Sequence, residues 1–507
     1  MFFNNKAKAQ KTIINHEGAK AFTMTPELEL YTAVVTSTLS DKFYENGGER
    51  VERIRLLMKR CDPVFIAKLA IYAREQMHLR SMPMVLSVEL AKIHAGNDLV
   101  SRLVERVIQR ADELTEILAY YAMANGRNET KTMNKLSKQV QRGVAGAFSK
   151  FDAYQFAKYN RDGQIKLRDA LFLTHPKAQN DAQQALFDQI AKNELETPYT
   201  WETELSALGQ MQFTTPRAKS QAFSLKWEQL IDSNKVGYMA MLRNLRNILE
   251  ANVSGKHIKK VCEMLSDAML VAKSKQLPFR FLAAYREVKE VQSGYTTAVL
   301  AALEDAVAAS VINLRGFGYN TSVTIACDVS GSMQQPISPK SKVLAYDIGL
   351  MLGMMLLSKC KNAEAGMFGN TWKVVNMPSK SILSNVQEFY RREGEVGYST
   401  NGYLVIEALI KRNKVVDKVM LFTDCQLWNS NQGYNTISDS WSKYRNTIAP
   451  NAKLYLFDLA GYGNTPLDLS KGNGVHLIAG WSDKIFDVLS AIDEGGNAIK
   501  MIKSIEI

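Results

Sequence analysis

Over most of the first 314 residues, apolar side chains return at spacings of three and four, the period of an amphipathic helix. The segments PELELYTAVVTSTLSDKFY, DPVFIAKLAIYAREQM, MPMVLSVELAKIH, DLVSRLVERVIQ and ADELTEILAYYAMANG each carry such a stripe, and Pro, Asp or Gly stands at the breaks. Strand-like alternation is scarce there. A short helix with one apolar face buries it only by stacking on a neighbour. Helix pairs recurring roughly every 35 to 45 residues therefore predict an α-solenoid of the HEAT type with a degenerate repeat. An irregular helical bundle is the alternative that the same periodicity allows.

After NLRGFGYN (residues 313–320) the pattern changes. Short β-branched or apolar runs (SVTIACDVS, EAGMFGNTWKVV, KVMLFTDCQ, KLYLFDLAG, VHLIAG) now alternate with helical segments such as SKVLAYDIGLMLGMMLLSKC, SILSNVQEFYRR and GYLVIEALIKRN. That alternation predicts right-handed βαβ crossovers and a doubly wound, mostly parallel sheet. The expected organisation is α plus α/β in two domains, a helical one over residues 1–315 and an α/β one over residues 316–507. A ligand crevice is expected beyond the carboxyl ends of the parallel strands.

One turn lies at such a strand end. In TIACDVSGSMQQP, Asp328, Ser330 and Ser332 occupy alternate positions, so an extended turn presents three oxygens to one point, and Gly331 permits the tight backbone. Hard oxygen donors with few carboxylates suit Mg²⁺ or Mn²⁺, which retain waters or take an acidic group from a partner. The sheet is expected to bring two further oxygens near: Thr400 in VGYSTNGYL, with Ser399 adjacent to it, and Asp424 in VMLFTDCQ. The competing reading is a Ser-rich cap on the next helix, which uses the same hydroxyls without a metal.

Composition narrows the setting. Of 507 residues 46% are apolar and 22% charged, ordinary for a globular protein of more than one core, and 63 Lys and Arg against 51 Asp and Glu leave a formal charge of +12 that favours polyanionic partners. The five cysteines are widely spaced and form no CxxC pair, which fits a reducing compartment and argues against structural zinc. The first 18 residues lack the apolar core of a signal peptide, and the apolar run LAYDIGLMLGMMLLSKC is interrupted by Asp347, so a cytoplasmic protein with no membrane span is expected.

The D-x-S-x-S turn, the later Thr and the strand-end Asp resemble the metal-ion-dependent adhesion site of von Willebrand factor A domains, over about residues 320 to 507. The segments EGAKAFTMTPELELYTAVVTSTLSDKFYENGGERVERI, FIAKLAIYAREQMHLRSMPMVL and above all SKQVQRGVAGAFSKFDAYQFAKYNRDGQIKLRDALFLTHPKA resemble the TROVE module shared by telomerase-associated protein, the Ro autoantigen and vault proteins. A TROVE module followed directly by a von Willebrand A domain is similar to the Ro architecture, so the resemblance covers nearly the whole chain. It implies a HEAT-repeat ring closed by a Rossmann-like A domain. It also implies that single-stranded 3′ ends of misfolded small RNAs bind in the central hole and that structured Y-type noncoding RNAs bind across a basic outer surface.

The residues carry part of this independently. Lys131, Lys135, Lys138, Arg142, Lys150, Lys158, Arg161, Lys166, Arg168 and Lys177 face only Asp152, Asp162 and Asp169 within the same stretch. On a helix through NKLSKQVQRG, Lys135, Lys138 and Arg142 follow i, i+3 and i+7 and line one face, as phosphate contacts do. Phe148, Phe151, Tyr154, Phe156 and Tyr159 interleave with these charges; exposed members can stack unpaired bases, whereas buried ones are solenoid core. His175, in LTHPKA, is read either as an RNA contact or as a helix C-cap. A second basic stretch, MLRNLRNILEANVSGKHIKK, holds Arg243, Arg246, Lys256, His257, Lys259 and Lys260.

Catalytic motifs are absent from the sequence: there is no HExxH, no GxxxxGK[ST] and no assembled Ser-His-Asp set. The expectation is therefore a monomeric, non-enzymatic RNA-binding protein. Its metal set is Asp328, Ser330, Ser332, Thr400 and Asp424, and an exoribonuclease is a possible partner. The alternative is a protein–protein scaffolding or adhesion module in which a partner's acidic residue completes the metal shell and the basic helices are incidental.

Overall fold

The computed structural model describes residues 11–37, 44–127, 136–160, 162–274, 276, 278–311, 317–337, 341–378, 380–428, 436–469, 473–480, 488–490 and 497–507. The chain divides into two compact units, one made of Met1–Val51 with Gly237–Ile499 and the other of Glu52–Val236 with Lys500–Ile507. No helix among the described residues is long and apolar enough to cross a membrane.

The first unit is built on a six-stranded sheet. Its strands are β3 (Ser322–Asp328), β4 (Asn362–Phe368), β5 (Trp372–Val374), β6 (Lys418–Thr423), β7 (Lys453–Asp458) and β9 (Val475–Ala479), in the order β5-β4-β3-β6-β7-β9. All pairings are parallel except β4 with β5, which are joined by a tight hairpin. The central strands are apolar nearly throughout because helices cover both faces, so β6 is buried at all six positions. On one face, Gly349 of helix Ala345–Lys359 allows a close approach: a Cβ there would lie 2.7 Å from the Phe422 side chain. Register fixes the functional edge. Cys327 pairs with Phe422 and Thr423 with Asp458, so the carboxyl ends of β3, β6 and β7 finish level.

Helices after Gly237 pack on this same unit although their sequence pattern is that of the helical half. Arg286 of helix Pro278–Lys289 holds the fully buried Asp347 with two bonds, of 2.6 and 2.8 Å. Glu304, on helix Thr296–Ser310, accepts the amide N–H groups of Ile382, Leu383 and Ser384, capping the start of helix Ile382–Arg392 with a carboxylate. The unit also holds a small antiparallel sheet the sequence pattern does not announce. In it β1 (Thr12–Ile14) pairs with β2 (Lys20–Thr23), and β2 with β8 (Asn464–Thr465).

The second unit is helical, as periodicity predicts. Its helices start at good caps: Asp62 before Pro63, Asn180 before Asp181 and Thr215 before Pro216 each accept a first-turn amide. Helix Leu99–Val107 and helix Lys138–Phe148 approach closely because Gly143 has no side chain; a Cβ there would lie 2.5 Å from the Ser101 carbonyl oxygen. Arg74 and Glu113, both buried, form a two-pronged ion pair at 2.8 and 2.9 Å, and the Arg80 guanidinium adds a third contact to Glu113 at 3.1 Å.

Candidate functional site

The strand-end turn and Asp424 come together in the first unit, and Thr400 is bonded to the segment that follows Asp424. Asp328 ends β3 at 0% exposure, with Ser330 at 3%, Thr400 at 4% and Asp424 at 1%. Asp328 Oδ1 accepts the Ser330 amide at 2.9 Å, its Oδ2 accepts the Thr423 hydroxyl at 2.7 Å, and the Ser330 and Ser332 hydroxyls lie 3.2 Å apart. The short 3₁₀ turn that follows, Gly331–Gln334, is not capped by the Ser330 side chain, so the hydroxyl is not engaged as a helix cap. Thr400 Oγ1 accepts the Trp428 amide at 2.8 Å and keeps a second lone pair. The neighbouring Ser399 is instead half-buried, its amide bonded to Asn370.

Asp424 Oδ1 accepts the Gln426 amide at 2.9 Å, whereas its buried Oδ2 has no hydrogen-bond partner among the described residues. Neither Asp328 nor Asp424 has a basic partner among the described residues. Burial, and then the neighbouring Asp424, push Asp328 up to about 7; burial likewise raises Asp424. Two adjacent buried carboxylates without a cation, and one oxygen left unpartnered, are what a divalent ion would satisfy. The donor set fits a hard cation: Asp328, Ser330, Ser332, Thr400 and Asp424 would hold it, with hydroxyls and water supplying most of the shell. Among the described residues no three His, Cys, Asp or Glu side chains are placed to bind one ion directly.

A third acid stands at the same edge and was not read from the sequence. Asp458 ends β7, fully buried; burial raises it to about 6. Its Oδ1 accepts the amides of Ala460 at 3.0 Å and Gly461 at 2.7 Å, and its Oδ2 has no hydrogen-bond partner among the described residues. The signal was present in KLYLFDLAG, a strand ending in Asp as SVTIACD does.

In the second unit the predicted basic residues separate into distinct settings. Lys138, Arg142, His175 and Lys177 line one open cleft of about 680 Å³, together with Gln141, Ser149 and a single acid, Glu105. Helix Lys138–Phe148 buries Val140, Gly143, Val144, Ala147 and Phe148, which turns Lys138 and Arg142 outward. Gln141 donates to the Leu173 carbonyl at 2.9 Å and so docks this helix on the end of helix Leu167–Thr174. There His175 takes a left-handed conformation (φ 49°), and its amide returns to the Leu171 carbonyl at 2.9 Å. It is thus the helix C-cap by its backbone, while its exposed ring lines the cleft.

The remaining predicted contacts lie elsewhere. The Lys150 ammonium donates to the carbonyls of Glu105 and, at 3.2 Å, Ile108, closing the end of helix Leu99–Val107. Lys158 lies over the Tyr154 and Tyr159 rings, Lys166 pairs with Asp162 at 2.9 Å, and Arg168 lies over the Phe172 ring. Lys135 and Arg161 fall outside the described residues. Of the interleaved aromatics, Phe148, Phe151 and Phe156 are core, whereas Tyr154 is 49% exposed.

The second basic stretch contributes to a smaller cleft of about 280 Å³ in the first unit, lined by Arg243, Arg246, Arg280 and Glu287 among others. Arg246 is paired with Glu287 at 2.8 Å, but Arg243 and Arg280 have no carboxylate partner among the described residues. Burial, and then the charge of Arg243, lower the Arg280 guanidinium. Arg280 lies in LPFRFLAAYRE, outside the basic stretch singled out in the sequence.

Comparison with known proteins identifies the two kinds of domain. The TROVE domain family matches residues 33–201 and 191–303, together more than half of the chain, and the Ro60 vWA domain matches residues 322–492. Telomerase protein component 1 of Mus musculus is 25% identical over 303 residues, and that of Rattus norvegicus 26% over 304. Each alignment covers 46% of this chain and only 11% of the relative. The crystal structure of the Deinococcus radiodurans RO (RSR) protein superposes with a TM-score of 0.61 at 17% identity, over 93% of this chain and 100% of that one, and so shares the fold. The chain belongs to the TROVE domain family, a family of RNA-binding proteins, and joins that domain to a von Willebrand A domain of the Ro60 type.

Proposed function

We propose that the protein binds small noncoding RNA of the Y type on its helical unit and single-stranded 3′ ends of misfolded RNA at a second basic surface. It acts as a ribonucleoprotein scaffold in RNA quality control, not as an enzyme. The observation that carries this is the cleft in which Lys138, Arg142, His175 and Lys177 converge against one acid. Phosphate recognition needs exposed cations that are not already neutralised, and among the described residues Arg142 and Lys177 have no ion-pair partner. Such cations favour readout of backbone charge and RNA shape over sequence.

The divalent cation held by Asp328, Ser330, Ser332, Thr400 and Asp424 would, when bound, neutralise the buried carboxylates and present an electrophilic centre to an acidic group. These residues position the cation; the RNA cations lie on other elements. The test replaces Lys138 and Arg142 together by Ala and titrates a structured RNA across a salt series. Loss of two phosphate contacts flattens the slope of log affinity against log salt by about one to two units. An unaltered slope would remove the RNA from this cleft.

A further inference from the structure

The turn between β1 and β2 sits directly on the segment that carries Asp424. Asn15 donates from Nδ2 to the Leu427 carbonyl at 2.9 Å, and the His16 amide donates to Gln426 Oε1 at 3.0 Å. Gln426, fully buried, in turn donates its amide to Asp424 Oδ1 at 2.9 Å. The turn is closed by the Gly18 amide on the Asn15 carbonyl at 3.0 Å and the Ala19 amide on Asn15 Oδ1 at 2.8 Å. At Gly18, with φ of +80°, a Cβ would lie 3.9 Å from the Trp428 ring; Trp428 is the residue whose amide holds Thr400. Two of the five cation-site residues are therefore tied, through residues 424–428, to a turn at the far end of the sequence.

Glu17 occupies the tip of that turn. One of its oxygens accepts the Tyr44 hydroxyl, and no cation is paired with it among the described residues. Tyr44 is held firmly: its ring stacks on His16 at 4.7 Å and 6°, meets Tyr462 edge-on at 5.3 Å, and its amide donates to the Tyr462 hydroxyl at 3.3 Å. Glu17 is also close enough to Asp424 for its charge to raise that carboxyl further, behind the larger effect of burial. An acid without a paired cation among the described residues is thus held by an aromatic clamp on a turn bonded to residues 426 and 427, two and three positions beyond Asp424.

We propose that Glu17 is the outer carboxylate of the cation site, accepting a hydrogen bond from a water on the bound ion. Direct ligation is not the geometry present, since no three acidic side chains among the described residues are placed around one point. Mg²⁺ and Mn²⁺ keep several waters, and such waters are oriented by acceptors in the next layer. Any partner carboxylate approaching this ion then does so against the charge of Glu17.

The inference rests on the cation reading above, and the experiment separates the two. Mn²⁺ is titrated calorimetrically into the full chain, comparing wild type with Glu17→Gln, Tyr44→Phe and Asp328→Asn. Gln keeps an oxygen for the Tyr44 hydroxyl while removing the charge, so Glu17→Gln is expected to weaken Mn²⁺ by about tenfold or more. Tyr44→Phe removes the clamp's hydrogen bond but leaves the carboxylate and its charge, and is expected to stay within about threefold of wild type. Asp328→Asn is expected to abolish binding. Wild-type affinity in Glu17→Gln, with Asp328→Asn dead, would overturn the role of Glu17 and leave the cation site standing. Equal losses in Glu17→Gln and Tyr44→Phe would show that the turn acts only structurally. Absence of Mn²⁺ binding in wild type would remove both the site and this role.

Discussion

Asp328 is an acid placed where charge is costly, and its environment is arranged as if a cation were part of it. Two of its acceptor positions are filled by the Ser330 amide and the Thr423 hydroxyl, yet the other charge acting on it is the repulsive one of Asp424. Asn at this position preserves shape and removes one buried negative charge. In EDTA, Asp328→Asn is therefore expected to melt at or above the wild-type temperature, the reverse of an ordinary core substitution. With Mg²⁺ at a hundred times its dissociation constant the wild type gains about 2.7 kcal/mol and the variant nothing, which thermal denaturation with and without the ion measures directly. Asp328, Ser330, Ser332 and Asp424 were legible in the sequence because a period of two and a strand end place oxygens predictably. The involvement of Glu17 was not. It depends on a turn whose register is set by Asn15 and Gln426, and nothing local to residue 17 reports that bond.

The helix Lys138–Phe148 shows the same limit one level up. Its two faces follow from spacing alone: small and apolar residues at 140, 143, 144 and 147 turn inward, and Lys138 and Arg142 outward. What spacing does not give is the neighbour that turns a basic stripe into a cleft. That comes from the Gln141 bond to Leu173 and from a helix that ends in a left-handed residue, bringing His175 and Lys177 alongside. Nor does a count of cations reveal that Lys150 is committed to backbone carbonyls. The close helix approach gives a further prediction. Gly143→Val places atoms where the Ser101 carbonyl and the Val104 side chain already lie, and is expected to destabilise the protein by about 1–3 kcal/mol. Lys138→Ala, on the exposed face of the same helix, is expected to change stability by less than about 0.5 kcal/mol. Chemical denaturation of both variants checks the pair, and equal effects would mean the helix faces are misassigned.

Across the whole chain, the change from helical to strand-helix grammar near residue 316 marks where the sheet begins, but compactness follows a different division. Residues 237–311 have the helical pattern and pack with the sheet, through contacts such as Arg286 with Asp347 that join positions 61 apart. The three-residue β1 is exposed and pairs with β2, which pairs in turn with β8, a placement that no period in the sequence can announce. Among the described residues each unit carries a group of cations without a carboxylate partner, Lys138, Arg142 and Lys177 in one and Arg243 with Arg280 in the other. If these serve different parts of one RNA, their losses should differ by ligand. A hairpin with a 3′ tail and the tail alone are titrated against Lys138→Ala/Arg142→Ala and Arg243→Ala/Arg280→Ala over a salt series. The first pair is expected to weaken the hairpin and spare the tail. The second is expected to weaken the tail, with a slope change of about 0.7 per lost single-strand phosphate contact. Because RNA phosphates are alike, a merely general loss of positive charge would weaken both ligands in both variants by similar factors, and that outcome would reduce the two surfaces to one diffuse field.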